Sequence, residues 1–153
     1  MEPEIVNRDA FIVMGIVERV TPAEEGTTTY ERIWRRFEGF HEQIKARSTD
    51  QAYYGISFVT EEEGVVDYVA GMAVGEAGII PEDLVIREVP AARWAVFECP
   101  IEHIGETYRY IFGEWASKSP HAVDGSVPSL ERYPPVGEEG APIQLHIPVT
   151  EKR

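Results

Sequence analysis

The sequence predicts an α/β (α+β) fold made of two pseudo-symmetric strand–helix–strand–strand repeats, whose antiparallel sheets enclose a central cleft. Three observations predict it. Two long strand patterns are each broken in the middle, one near Asp9 and one at Pro90-Ala91-Ala92. Each is followed by a helical stretch and then by two strands joined through a glycine-containing turn. The spacing also repeats: Phe37 and Phe112 are 75 positions apart, Tyr54 and Leu130 are 76, and Val74 and Val149 are 75. Residue identity between the halves is poor, so the repeat rests on element order and spacing. Repeat one covers about 4–76 and repeat two about 84–150, within a single domain spanning 1–153.

The elements follow in order. Residues from about Glu4 to Arg19 form the first broken strand, with Phe11–Val17 as an apolar run of buried-strand length. Thr21–Gly26 is a polar turn. Thr28 and Glu31 have the spacing of a capping box. Tyr30, Ile33, Trp34, Phe37, Phe40, His41 and Ile44 then recur at three- and four-residue steps, which predicts one helix over about 29–46. Tyr53–Val59 and Val65–Val74 are strands joined at Glu61-Glu62-Glu63-Gly64. Tyr68, Ala70, Met72 and Val74 share one face of the return strand.

A linker with Pro81 leads to the second broken strand, Leu84–Glu98. His103–Ser117 is the second helix, with Ile104, Tyr108, Ile111, Phe112 and Trp115 on one face. Gly105 and Gly113 each cost it about 1 kcal/mol relative to Ala, so it depends on packing. Pro128–Tyr133, a turn at Gly137–Gly140 and Pro142–Val149 complete the chain. Paired about a pseudo-twofold axis, the halves place both helices on one face and leave the uncovered concave face for a ligand cleft.

Composition narrows the function. The net charge is −13, and no Lys/Arg cluster offsets it, which argues against direct nucleic-acid binding. Arg32, Arg35 and Arg36 group on one helix but have Glu31, Glu38 and Glu42 around them. No apolar run approaches the ~18 residues of a membrane span. The acidic start lacks the basic and apolar regions of a signal peptide. The single cysteine, Cys99, excludes an internal disulfide and fits a reducing cytoplasm. An acidic surface favours cationic ligands.

The prolines of Pro128-Ser129-Leu130-Glu131-Arg132-Tyr133-Pro134 bound a short strand. Alternation puts Ser129, Glu131 and Tyr133 on one face and Leu130 and Arg132 on the other. On a solvent face Glu131 is one more surface acid. On a cavity wall it is a buried carboxylate beside a phenol, and such a group needs a partner or a ligand. Other chemistry is thin. His41, His103, His121 and His146 have no metal-ligand spacing, and there is no cysteine pair. His121 reads as a solvated loop residue and Cys99 as a small strand-end residue. No glycine-rich phosphate loop is present. The reading requires no cofactor and no metal.

Four stretches together resemble the GyrI-like small-molecule-binding domain family, the effector-binding domain of AraC-type and other bacterial transcription activators. They are Arg87–Phe97, Tyr108–Trp115 followed by Ser117, Leu130-Glu131-Arg132-Tyr133 as a Glu-x-Tyr strand, and Ile143–Val149. Asp67–Val74 fits as well. The resemblance implies that Glu131 points into a central cleft with an aromatic lining for flat, often cationic, lipophilic compounds. It implies a stand-alone member, because the match fills the chain and leaves nothing for a helix-turn-helix domain.

A carboxylate among aromatics attracts a cation strongly where water screens little, and each cation–π contact adds roughly 0.5–2 kcal/mol. Tyr54, Tyr68, Trp94, Trp115 and Tyr133 are the candidate lining, with ordinary core packing as the alternative for each. The sequence therefore predicts a cytoplasmic protein that binds a small organic ligand, planar and cationic, for sequestration or sensing. The resemblance implies two alternatives beside this. One is a hydrolase of cyclopropane-bearing DNA-alkylating compounds, with Glu131 as base and Tyr133 assisting. The other is a protein that interacts with DNA gyrase or another partner.

Overall fold

The computed structural model describes residues 2–152; Met1 and Arg153, the ends of the predicted 1–153 domain, lie outside. Among the described residues nine strands form: β1 (Glu4–Arg8), β2 (Phe11–Val20), β3 (Tyr53–Val59), β4 (Val66–Val74), β5 (Val85–Val89), β6 (Ala92–Cys99), β7 (His121–Val123), β8 (Ser129–Tyr133) and β9 (Ile143–Glu151). The helices are α1 (Thr27–Glu38), α2 (His41–Lys45), α3 (Ile104–Tyr110) and α4 (Ala116–Lys118), the last two joined by a π-helical turn at Ile111–Trp115. Both broken strands break where the sequence predicts.

All neighbouring strands pair antiparallel, in the order β1-β6-β9-β8-β3-β4-β2-β5, with β7 added against β9. This order explains the shape of the sheet. β1 and β2 stand six places apart in it, about 29 Å in a flat sheet at ~4.8 Å per step. Asp9 and Ala10 alone join them, and such a link spans at most about 11 Å. β5 and β6 are also six places apart and are joined by Pro90 and Ala91 alone. The sheet therefore curls until its two ends meet at these corners. Each broken strand gives one piece to each end of the sheet.

The curl separates two faces. The helices cover the outer one, over two cores. Ile33, Phe37 and Ile44 pack on Met14, Ile16, Tyr68, Ala70 and Met72. Ile111 and Trp115 pack on Ala95, Phe97, Leu145 and Ile147. The inner face has no helix, yet it is not the open cleft that the sequence reading places there. Val13, Tyr54, Ile56, Val69, Val89, Trp94 and Leu130 fill it as a third core. The first corner closes over it: the Phe11 ring meets Tyr54 at 5.6 Å, and Arg8 donates to the Tyr54 hydroxyl at 3.1 Å.

Several local expectations are corrected. The predicted first helix is two helices. Gly39, a poor helix former, caps α1, and Phe40 leaves helical geometry (φ −118°, ψ 1°), which lets both Phe37 and Ile44 reach the sheet. The capping box does not form: Gly26 is the N-cap, with no side-chain cap bond. The π turn adds a residue and rotates the helix face, so Phe112 is exposed while Ile111 and Trp115 are buried. His121 lies in β7, half-buried, with its ring stacked on Trp115. Arg32 and Arg36 pair with Glu18 of β2, at 2.9 and 3.2 Å, rather than with the acids of their own helix.

Candidate functional site

β8 lies at the middle of the sheet, and its alternation decides what each side chain meets. Leu130 enters the inner core at 1% exposure. Glu131 and Tyr133 turn to the helix face, at the seam between the two helix-covered cores. There the Tyr108 hydroxyl donates to Glu131 Oε2 at 2.8 Å, and the Tyr133 hydroxyl donates to Oε1 at 2.6 Å. One phenol comes from α3 and the other from β8 itself. Short O–H···O⁻ contacts of this kind are charge-assisted and strong.

The N-terminal half of the chain supplies the other wall. Tyr68 of β4 is 3% exposed, and its hydroxyl accepts from the Trp34 indole N–H at 3.1 Å. Trp34, on α1, stands edge-on to Tyr133 at 5.7 Å and to Phe37 at 5.3 Å. Tyr30, one turn earlier, meets the Tyr68 ring at 5.1 Å. On the far side Phe112 stacks on Tyr108 at 6.2 Å and 8°. Glu131 thus sits in a collar of aromatic rings and phenolic oxygens. Glu131, Tyr133, Tyr108, Tyr30 and Trp34 are each half-buried, so the collar reaches solvent between the helices.

Electrostatics agree with this placement. Burial, and next the charge of Glu131, push the Tyr68, Tyr108 and Tyr133 hydroxyls well above the usual phenol range. Tyr30 shifts in the same direction for the same two reasons. All four phenols therefore stay protonated, and two of them, Tyr108 and Tyr133, donate to the carboxylate.

Of the residues singled out from sequence, Glu131, Tyr133 and Tyr68 come together. Tyr54 and Trp94 do not, because they lie in the inner core on the opposite face. Tyr54 donates to Asp50 at 2.6 Å instead. Trp115 packs edge-on against Phe97 at 5.0 Å beneath the second helix. Tyr108, Tyr30 and Trp34 were not singled out. Each sits on a helix's apolar stripe, where a ring reads as core. The available signal was that Tyr and Trp carry a polar tip that needs a partner when buried.

Two surface hollows lie elsewhere. One, of about 470 Å³, is bounded by the two corners, from Asn7–Asp9 and Ala91–Arg93. The other, of about 310 Å³, lies between Ile5, Trp115 and His121. Among the described residues, no three His, Cys, Asp or Glu side chains converge as a metal site, and no helix is long and apolar enough to cross a membrane.

The sequence of the GyrI-like small molecule binding domain matches residues 1–149. The chain belongs to the GyrI-like family. Within that family it is a small-molecule-binding domain. The transcriptional regulator BrlR of Pseudomonas aeruginosa (strain PAO1) is 31% identical over 114 residues, covering 73% of this chain and 41% of BrlR. The chain thus spans about two fifths of that relative's length. Two solved structures overlay closely. SAV2435 bound to tetraphenylphosphonium superposes with a TM-score of 0.79 at 16% identity, over 98% of this chain and 94% of that one. An integron cassette protein of Vibrio cholerae superposes with a TM-score of 0.70 at 19% identity, over 97% and 96%. At these identities the likeness establishes the fold.

Proposed function

We propose that this GyrI-like domain binds a small lipophilic organic cation at Glu131, planar or bearing several aryl groups, for sequestration or sensing. The observation that carries the reading is a single half-buried carboxylate whose two oxygens are each fixed by a phenol, inside an aromatic collar between two helices. The phenols orient the carboxylate without neutralising it. Low local polarity strengthens its attraction for a cation, and the rings add cation–π and dispersion contacts. The net charge of −13 adds long-range attraction. The solved relative that carries tetraphenylphosphonium supports the reading by analogy of fold.

Calorimetry with tetraphenylphosphonium and a neutral analogue of the same shape tests it. The cation binds tighter, and its advantage shrinks with salt. Equal affinities that are insensitive to salt overturn the proposal.

The direct contact between Glu131 and Tyr133 at 2.6 Å favours one second reading, a hydrolase of strained cyclopropane-bearing alkylating compounds. There Glu131 takes a proton from water as the water oxygen bonds to a cyclopropane carbon; the strained C–C bond breaks, its electron pair passes to the rest of the compound, and that fragment takes a proton from solvent. The phenols hold their protons too tightly to be the acids of choice, so the base role falls on Glu131. Release of a ring-opened, hydrated product from such a compound separates this reading from passive binding.

A further inference from the structure

Glu131 faces Gly55 across the β3–β8 ladder. Around this pair, Tyr54 faces Arg132 and Ile56 faces Leu130, and Tyr53 faces Tyr133 as Ser57 faces Ser129. Shifting β3 by the 76-position spacing of the repeats carries Gly55 onto Glu131. The two are counterparts in the repeat and are also ladder partners, so they lie at its centre. One half places a carboxylate there, and the other places no side chain at all.

The missing side chain has a use. A Cβ built on Gly55 falls 2.1 Å from the Tyr68 hydroxyl oxygen and 2.9 Å from the ring carbon that bears it. Tyr68 starts on β4, where it faces Ser57. Its ring runs diagonally over β3, and its hydroxyl rests on the bare backbone of Gly55. There it feels the Glu131 charge and accepts the Trp34 N–H. Tyr68 cannot retreat easily, because it is 3% exposed and packed against Tyr30.

We propose that Gly55 is a specificity-determining position of this site: its lack of a side chain lets Tyr68 cross β3 and form the floor beside Glu131, so that the room left for a ligand and the single charge beneath it are set by one Gly–Glu pair. This rests on the cation-binding reading of Glu131. It adds that the ligand's fit is decided at a residue with no chemistry of its own. A methyl group at position 55 lifts the Tyr68 ring into the space between the helices and pulls its hydroxyl from Trp34.

The test is a double-mutant cycle of Gly55→Ala and Tyr68→Leu. It uses two readouts, tetraphenylphosphonium affinity by calorimetry and the Trp34 indole N–H resonance in the ligand-free protein. Gly55→Ala shifts the Trp34 resonance and weakens binding about ten-fold, the worth of one displaced polar contact. In the Tyr68→Leu background the same change costs little in either readout, because the atoms it meets are gone. An unchanged Trp34 resonance in Gly55→Ala overturns the proposal. So does an equal cost in both backgrounds, which would place the effect in the strand itself.

If Gly55→Ala does not fold but the double variant does, the clash with Tyr68 is upheld. If neither folds, the proposal fails. If the wild-type chain ignores tetraphenylphosphonium, the cation-binding reading falls, while the Trp34 resonance still decides whether Gly55 positions Tyr68.

Discussion

Tyr133 and Glu131 stand two residues apart on one strand, and their side chains meet, the hydroxyl 2.6 Å from Oε1. Side chains two apart on a strand share a face, so β8 carries both the site's charge and the donor that orients it. Tyr108, from a different element, holds the other oxygen. Strand geometry fixes one contact, and the docking of α3 fixes the other.

Glu131→Gln keeps the fold, because the amide is nearly isosteric and still accepts from a phenol. It weakens binding of tetraphenylphosphonium by on the order of 1.5–3 kcal/mol, the worth of a charge-assisted contact. Calorimetry measures it. If the domain is a hydrolase, turnover falls far more than substrate affinity, since a base acts in the transition state. A variant that binds and turns over like the wild type removes Glu131 from the site.

Acid titration reports on the inner face. His146 is 5% exposed, and burial, helped by Arg8 and Arg132, lowers its pKa to about 4. The unfolded chain binds a proton on this residue near pH 6.5, and the folded chain does not. Stability is therefore lost as pH falls from about 6.5 toward 4, by on the order of 2–3 kcal/mol. Urea unfolding across that range measures the slope, and His146→Gln flattens it. An equal slope in the variant shows that other groups cause it.

The alkaline side reports on the site. Tyr68, Tyr108 and Tyr133 all have raised pKa values in the folded chain. Above pH ~10 the unfolded phenols ionise while the folded ones keep their protons. Their contribution is complete below that pH and is lost as pH rises. Tyr108→Phe reduces this alkaline loss, read by denaturant unfolding between pH 9 and 11. An unchanged loss places that phenol outside the buried cluster.

The halves exchange strands, since β1 pairs with β6 and β5 pairs with β2. Residues about 4–76 and 84–150 are expected to superpose as two similar units, yet neither folds alone. Fragments cut in the 75–83 linker are expected to be unfolded by circular dichroism when separate and to regain structure when mixed. A fragment that folds by itself shows that the exchanged strands are dispensable.

Local chemistry was legible in the sequence. Periodicity and turn residues placed every long strand and both corners, because those signals act over a few neighbours. Alternation along Leu130-Glu131-Arg132-Tyr133 put Glu131 and Tyr133 together for the same reason. The β7 strand was not legible, because three residues with no pattern become a strand only when β9 offers its edge. The break at Gly39-Phe40 and the π turn at Ile111–Trp115 were also hidden, since both are choices of packing over helical regularity.

What the tertiary structure alone decided is which face of the sheet holds the candidate site. Tyr54, Tyr68 and Trp94 look alike in sequence, each an aromatic on an alternating strand. Two-residue corners joining opposite ends of the sheet force it to curl, and the curl buries Tyr54 and Trp94 inside. Tyr68 lies on the other face, where its hydroxyl meets Gly55, the ladder partner of Glu131. That meeting depends on the register of β3 against both β4 and β8. Register is a relation between distant segments, and no single segment carries it.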